Sequence, residues 1–226
     1  MLRDGLYQRF PKPNFALALH NEPIREAGKV GFTPGYAMAS VDTIDVTVHG
    51  VGGHGAHPDA TKDPIVIASQ IVLALQTITS RETAPGEPVV VTVGSIHGGT
   101  KHNIIPDEVK LQLTVRTYAK ETRDRVLASI ERIVVNTARA AGVPKEREPL
   151  IDLHPEKFNP STYNDPALTE RCVAAMRKAL GEANVEAAKP VMGGEDFGLV
   201  ALDDRSVPSF MFWFASVGTR RLAESK

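Results

Sequence analysis

The order of regular elements between residues 37 and 155 constrains this chain more than any other feature. "DTIDVTVHG" places Ile44, Val46 and Val48 on one face, the period of a half-buried strand. Asp63-Pro64 then supplies an N-cap and a proline at the first helical position. Ile65, Ala68, Ile71, Val72, Leu75 and Ile78 follow at helical spacing until "PGEP" breaks the chain. "VVVTVGSI" reads as a strand, and "EVKLQLTVRTY" alternates Val109, Leu111, Leu113 and Val115 as another. "KETRDRVLASIERIVVNTARAAG" is an amphipathic helix with Val126, Ile130, Ile133 and Thr137 on one face, stopped at Gly142-Val143-Pro144. "EPLIDLHPE" supplies a last strand. Strand, helix, strand, strand, helix, strand is the ferredoxin-like split βαβ order, which predicts an antiparallel four-stranded sheet with both helices on one face.

The flanks have a different character. "FALALH" reads as an apolar strand, followed by a Gly/Pro-rich stretch ending "GFTPGY". Asp165-Pro166 opens a helix carrying Leu168, Cys172, Ala175 and Met176, and Gly181 sits where a C-terminal cap belongs. "VPSFMFWFA" is a nearly continuous apolar run, which suits a central strand buried on both faces of an α/β sheet. Such a strand cannot belong to the small antiparallel domain. The expected architecture is therefore α/β. A ferredoxin-like βαββαβ domain at 37–155 is inserted in a partial α/β domain made of residues 1–36 and 156–226.

Composition removes several classes of function. The 226 residues carry a formal net charge of -1, so there is no basic footprint for nucleic acid, and the strands lack an exposed aromatic ladder. No apolar run approaches the roughly 18 residues of a membrane span. The start "MLRDGLYQRFPKPN" has no apolar signal-peptide core, so a cytoplasmic location is expected. The single cysteine, Cys172, excludes an internal disulfide and lies on an apolar helix stripe, where it packs rather than reacts.

The candidates for chemistry are scattered, and each has a bland reading beside the functional one. "GGHGAHP" holds His54 and His57 three apart in a glycine-rich turn: a site reaching for a substrate or metal, or a surface turn. His20 ends the first apolar strand, where ligands bind in open α/β sheets, or it merely caps the strand. His97 and His102 bracket "GGTK", Asn103 starts the next strand, and Arg116 stands near its end on the face opposite Val115. "GGEDFG" sets Glu195 and Asp196 in a flexible backbone, again a site or a plain turn. No HExxH, GxSxG, P-loop or Rossmann fingerprint occurs.

Taken together, "FALALHNEP", "GGHGAHPDATKDPIVIASQIVLALQTI", "VTVGSIHGGTKHNIIPDEVKLQLTVRTY" and "MGGEDFG" closely resemble one family. It is the metal-dependent amidohydrolases and metallopeptidases that include hippurate hydrolase, N-acyl-amino-acid amidohydrolases and indole-acetyl-amino-acid hydrolases. The resemblance runs over essentially the whole chain. It implies a catalytic α/β domain with two divalent ions (Zn, Mn or Co) and a ferredoxin-like lid that also makes a homodimer. It implies that His20 is a metal ligand and that His54 polarises the scissile carbonyl across the dimer. Asn103 and Arg116, with His102 and Glu195, are implied to bind the substrate, an N-acyl amino acid of the hippurate type. The family's amino-terminal ligand segment and its last histidine ligand have no counterpart here. The expectation is thus an inactive fragment of such an enzyme, or alternatively a non-catalytic dimerisation or binding module.

Overall fold

The computed structural model describes residues 2, 4–202 and 205–218. Along the chain run α1 (Leu6–Arg9), β1 (Ala16–Glu26), β2 (Val30–Phe32), β3 (Gly35–His49), β4 (Gly53–His54) and α2 (Pro64–Thr77). Then come β5 (Val90–Gly98), β6 (Ile104–Ile105), β7 (Glu108–Thr117), α3 (Lys120–Ala140), β8 (Leu150–Leu153) and β9 (Thr162–Asn164). The last are α4 (Pro166–Leu180), β10 (Val185–Ala187), β11 (Val191–Gly194) and β12 (Ser209–Val217). The chain divides into two compact units, residues 41–158 and residues 1–40 with 159–226, and β3 passes from one to the other.

In the 41–158 unit, β7 lies between β3 and β5, and β8 pairs with β3. The β5–β7 and β3–β8 pairs are antiparallel. Alternation sends Ile44, Val46, Val48, Val109, Leu111, Leu113 and Val115 to one face, where all are buried. Ile67, Ala68, Ile71 and Leu75 of α2 and Val126, Ile130, Ile133, Val134 and Ala138 of α3 join them in a single cluster. Both helices therefore cover the same face, as the element order predicts. Each such branched side chain contributes about 1.5–3 kcal/mol when fully buried.

Three details differ from the sequence reading. Ile65 is 40% exposed, and Ile67 takes its place in the core, because the buried stripe of α2 runs through 67, 68, 71 and 75. Thr137 is only half-buried, and Val134 and Ala138 complete the inner stripe of α3. The helix also does not simply stop before "PGEP": it continues as a π-helical turn over Ile78–Glu82. Glu82 holds that turn to α3 by accepting from Ser129 Oγ at 2.7 Å and Arg132 Nη2 at 2.6 Å. The helix starts are as read, with Asp63 Oδ1 accepting from the Ile65 amide and Asp165 Oδ1 from the Leu168 amide, each at 2.8 Å.

In the other unit, β12 lies between β1, to which it is parallel, and β2, to which it is antiparallel, and β10 extends the sheet beyond β2. Phe210 packs with Leu168, Val173 and Val185 beneath α4. Met211 and Trp213 pack on the opposite face with Ala37 and Met38. "FMFWFA" is thus a central strand, apolar on both faces for the reason read from its sequence. Ala175 is exposed, contrary to its expected place on the inner stripe. Cys172 is half-buried against the α4 cluster, and burial pushes its thiol pKa up, which disfavours the nucleophilic thiolate. No helix among the described residues is long and apolar enough to cross a membrane.

Candidate functional site

Two groups of candidate residues take shape, one in each unit. In the first, β1 carries His20 on the face away from Leu17 and Leu19. Its Nδ1 lies 2.8 Å from the carbonyl oxygen of Asn21, so that nitrogen is the donor and Nε2 is the ring atom left for a ligand. Glu195 ends the turn after β11 and caps the 3₁₀ segment Asp196–Ala201, accepting from the amides of Asp196 at 2.8 Å and Phe197 at 3.4 Å through Oε1. Its other oxygen, Oε2, stands 3.6 Å from His20 Nε2. The structure therefore sets Glu195 beside the candidate metal ligand, whereas the resemblance places it with the substrate-binding residues. Asp196, its neighbour in "GGEDFG", is exposed.

The pair suits a divalent ion in part. Tetrahedral bonds of about 2.0–2.2 Å place adjacent donors about 3.3–3.6 Å apart, which matches this spacing. A histidine whose second nitrogen is spent on a backbone carbonyl is the usual orientation for a ligand. Two donors do not complete a site, however, and among the described residues no cluster of three or more His, Cys, Asp or Glu is placed to hold an ion.

The second group lies at one end of the 41–158 sheet. His54 falls on the two-residue strand β4, which pairs with β6 so that His54 faces Ile104 and Gly53 faces Ile105. The Gly55 amide donates to the carbonyl of Asn103 at 2.8 Å, bringing the Asn103 backbone against the His54 turn. The glycines permit this approach. A Cβ on Gly52 would stand 2.8 Å from the Ile105 carbonyl oxygen, and one on Gly55 would stand 3.1 Å from that of Asn103. The imidazole is oriented by the backbone: Nδ1 accepts from the Ala56 amide at 3.1 Å, so the neutral ring carries its proton on Nε2, facing solvent as a donor. His57 lies beside it, with ring centroids 5.9 Å apart. His102 is exposed on the turn leading to Asn103, and His97 is exposed on β5 opposite Lys110.

Arg116 is not part of this cluster. It is half-buried on β7 and pairs with Val90, while Gly98, at the start of the histidine-bearing turn, pairs with Val109. Seven steps of about 3.4 Å put roughly 24 Å between those two ends of the strand.

Sequence reasoning missed two features. Asp107 pins the His54 turn twice, its carbonyl accepting from the Gly50 amide at 2.8 Å and its carboxylate from the Gly52 amide at 3.2 Å. His154 stands between two carboxylates: Nε2 lies 2.9 Å from Asp45 Oδ2, and Nδ1 lies 3.2 Å from Glu156 Oε1. The hydrogen bond that His154 donates to Asp45 raises the His154 pKa, and the same bond with that donated by Gln112 holds Asp45 below the usual carboxylate range. Ser95 Oγ donates to Gln112 Oε1 at 3.0 Å, so this polar chain ties β5, β7 and β3 across the helix-free face of the sheet. Its role is to brace the sheet. A histidine at the end of "LIDLH" carries no signal for it, because its partners are far away in sequence.

Comparison with known proteins fits this picture. Residues 36–141 match the family model described as a peptidase dimerisation domain. The chain is 33% identical over 222 residues to N-acetyldiaminopimelate deacetylase of Leuconostoc mesenteroides, covering 98% of this chain and 56% of the relative. It is 33% identical over 199 residues to hippurate hydrolase of Campylobacter jejuni, covering 88% of this chain and 50% of that enzyme. Among solved structures, a Bacillus subtilis protein described as a dinuclear metal-binding peptidase of the M20 family superposes with a TM-score of 0.67 at 25% identity, over 92% of this chain and 53% of its own. The chain thus spans about half the length of the curated relatives it matches. The motifs, the fold and these likenesses agree: the chain carries a peptidase dimerisation domain of the M20 type at residues 36–141, and over about half of their length it is similar to N-acyl-amino-acid deacetylases, hippurate hydrolase and an M20 peptidase.

Proposed function

We propose that the chain works as part of a metal-dependent amidohydrolase that cleaves the amide bond of N-acyl amino acids, and that it does not turn over by itself. The observation that carries this reading is the His20–Glu195 pair, spaced for one ion and oriented by the backbone. The relatives named above supply the substrate class. A divalent ion (Zn, Mn or Co) would contribute Lewis-acid activation of the amide and of the attacking water. The chain's own residues divide the remaining work. His20 and Glu195 offer donors to the ion. His54 presents Nε2–H to the developing oxyanion, delivered across a homodimer. Asn103, with His102 beside it, and Arg116 hold the substrate carboxylate, Arg116 by its planar fork. Because β7 separates Asn103 from Arg116 within one chain, two copies are needed to bring both kinds of group to one substrate.

The test is a chimera in which this chain replaces the matched 222 residues of the Leuconostoc deacetylase. Metal-dependent hydrolysis of at least one of N-acetyldiaminopimelate, N-acetylcysteine and hippurate is expected, with none from the isolated chain. Arg116→Ala in the chimera should raise KM for these acids and leave a neutral amide analogue unaffected. A folded, metal-loaded chimera that hydrolyses none of them would favour the non-catalytic dimerisation module instead.

The homodimer has a physical basis in the 41–158 unit. Among the described residues β5 pairs with β7 alone, and its sequence "VVTVGSIHG" carries neither lysine nor proline to guard the open edge. Beside it, α2 exposes Ile65, Val66 and Leu73, the last at 72%. A second copy that pairs edge to edge and covers these side chains accounts for both. Leu73→Glu with Ile96→Lys should yield a monomer by sedimentation with unchanged helix content. A dimer that survives both substitutions would place the interface elsewhere.

A further inference from the structure

We propose that the helix-free face of the sheet in the 41–158 unit holds a second ligand site, which binds a free α-amino acid as its zwitterion. Asp45 and Asp152 would take the α-ammonium, Lys110 and His97 the α-carboxylate, and Leu150 the side chain.

The register of the strands sorts charge in a way that needs a reason. Asp45 on β3 stands directly opposite Asp152 on β8. Lys110 on β7 stands directly opposite His97 on β5. Like charges directly opposite each other destabilise an antiparallel pair, and opposite charges support it. Exchanging one partner between the two pairs would relieve both. The sequence instead keeps two carboxylates on one pair of strands and two basic side chains on the other. β3 and β7 are neighbours in the sheet, so the acidic pair and the basic pair adjoin.

These side chains share one face. Asp45 alternates with Ile44 and Val46, and Lys110 with Val109 and Leu111, all four in the core beneath α2 and α3. Asp45 and Lys110 therefore point away from the helices, and their cross-strand partners follow them. Leu150, opposite Thr47, joins them there and is 63% exposed, an apolar side chain set among polar ones. A cavity of about 450 Å³ opens at this place and is lined by Asp45, His97, Lys110, Leu150 and Asp152. Small-molecule sites run to about 300–1,000 Å³.

The acidic half is braced and has capacity to spare. Asp45 Oδ1 accepts from Gln112 Nε2 at 3.2 Å, and Oδ2 accepts from His154 Nε2 at 2.9 Å. Those bonds orient the carboxylate, and each oxygen keeps a further lone-pair site. Asp152 is exposed beside it. Lys110 Nζ lies 3.3 Å from Glu108 Oε1, an exposed pair that costs little to rearrange. A zwitterion answers this pattern, because it carries both signs of charge on one small body. A simple anion would meet the aspartates, and a simple cation the lysine. The choice of an amino acid among zwitterions rests on the amidohydrolase reading, whose reaction releases one; the charge pattern does not.

The test titrates L-leucine into the full 226-residue chain, labelled with nitrogen-15. Saturable amide shifts are expected at residues 45–47, 110–112 and 150–152. N-acetyl-L-leucine, which lacks the ammonium, and L-leucinamide, which lacks the carboxylate, should each bind at least about tenfold more weakly. Asp152→Asn and Lys110→Gln should each weaken L-leucine by a similar factor. Asp152→Asn should hold or raise the melting temperature of the free chain, since it relieves a like-charge pair. No saturable shift at tens of millimolar, or equal binding of the two blocked compounds, overturns the proposal. So do shifts confined to residues 53–57 and 102–105, which would assign the amino acid to the His54 turn, and binding indifferent to both substitutions. If the chain binds L-leucine as expected and the chimera hydrolyses nothing, the site stands and the amidohydrolase reading falls. If the chimera is active and the chain binds no amino acid on this face, that reading stands and the site falls.

Discussion

Arg123→Ala should lower the stability of the 41–158 unit by about 3–5 kcal/mol, the usual cost of stripping one partner from a buried ion pair. Arg123 grips Asp42 as a fork: Nε lies 2.8 Å from Oδ2 and Nη2 lies 2.6 Å from Oδ1. The Asp42 side chain is 4% exposed, so the substitution leaves a carboxylate stranded out of water. The carboxylate in turn raises the Arg123 pKa, chiefly by the hydrogen bond, so the guanidinium stays charged. The guanidinium also stacks on Phe158, 4.2 Å from the ring centroid, a contact that alanine forfeits as well. For a domain of this size about 4 °C of melting temperature accompanies each kcal/mol, so the expected fall is roughly 12–20 °C. Arg123→Lys should recover only part, because an ammonium has no fork. Asp42→Leu combined with Arg123→Leu should come close to the parent, since no charge is then left unpaired. A loss below about 1 kcal/mol for Arg123→Ala would mean that water screens the pair as at a surface site.

In the active chimera, His54→Ala should cut kcat by about 10²–10³ with KM nearly unchanged. The donor at Nε2 strengthens as charge grows on the carbonyl oxygen, so its loss is felt in the transition state and little in the ground state. The backbone bond from Ala56 to Nδ1 sets the tautomer, and alanine at 54 removes the donor without disturbing the β4–β6 pairing. Gly52→Ala should depress kcat as well, since its Cβ meets the Ile105 carbonyl at 2.8 Å and the turn must shift. Mixing His54→Ala with a second chimera carrying His20→Ala should restore part of the activity in mixed dimers if His54 serves its partner. Verified heterodimers without recovery would confine His54 to its own subunit, or remove it from the reaction.

Most of the 41–158 fold was legible because its signals are local. Alternation fixes which side of a strand is buried, and Asp-Pro fixes where α2 and α4 begin. Four residues read as one strand face, Val109, Leu111, Leu113 and Val115, are all in the core. The stripe of α2 was misjudged at Ile65 because that helix is apolar nearly all round, with Ile65, Val66 and Leu73 outside and Ile67, Ile71 and Leu75 inside. Periodicity cannot choose a face when both faces are apolar.

The sequence by itself determined the element order, the helix starts, the central character of β12 and, through four motifs, the family resemblance. These depend on neighbours within a few residues, or on short strings matched whole. Only the tertiary structure decided which distant groups meet. It set Glu195 beside His20, and the Asn103 backbone against the His54 turn, while placing Arg116 at the far end of β7. It also buried Asn164 completely, where Nδ2 donates to the carbonyls of Thr33 and Met211 and Oδ1 accepts from the Met211 amide, at 2.7–2.8 Å. An asparagine before Asp-Pro reads as turn chemistry; here it binds β9 to β12. The physical reason is the same in each case. A polar side chain records its own donors and acceptors, but its partner is chosen by strand register and sheet order, which are settled by burying apolar surface across the whole unit.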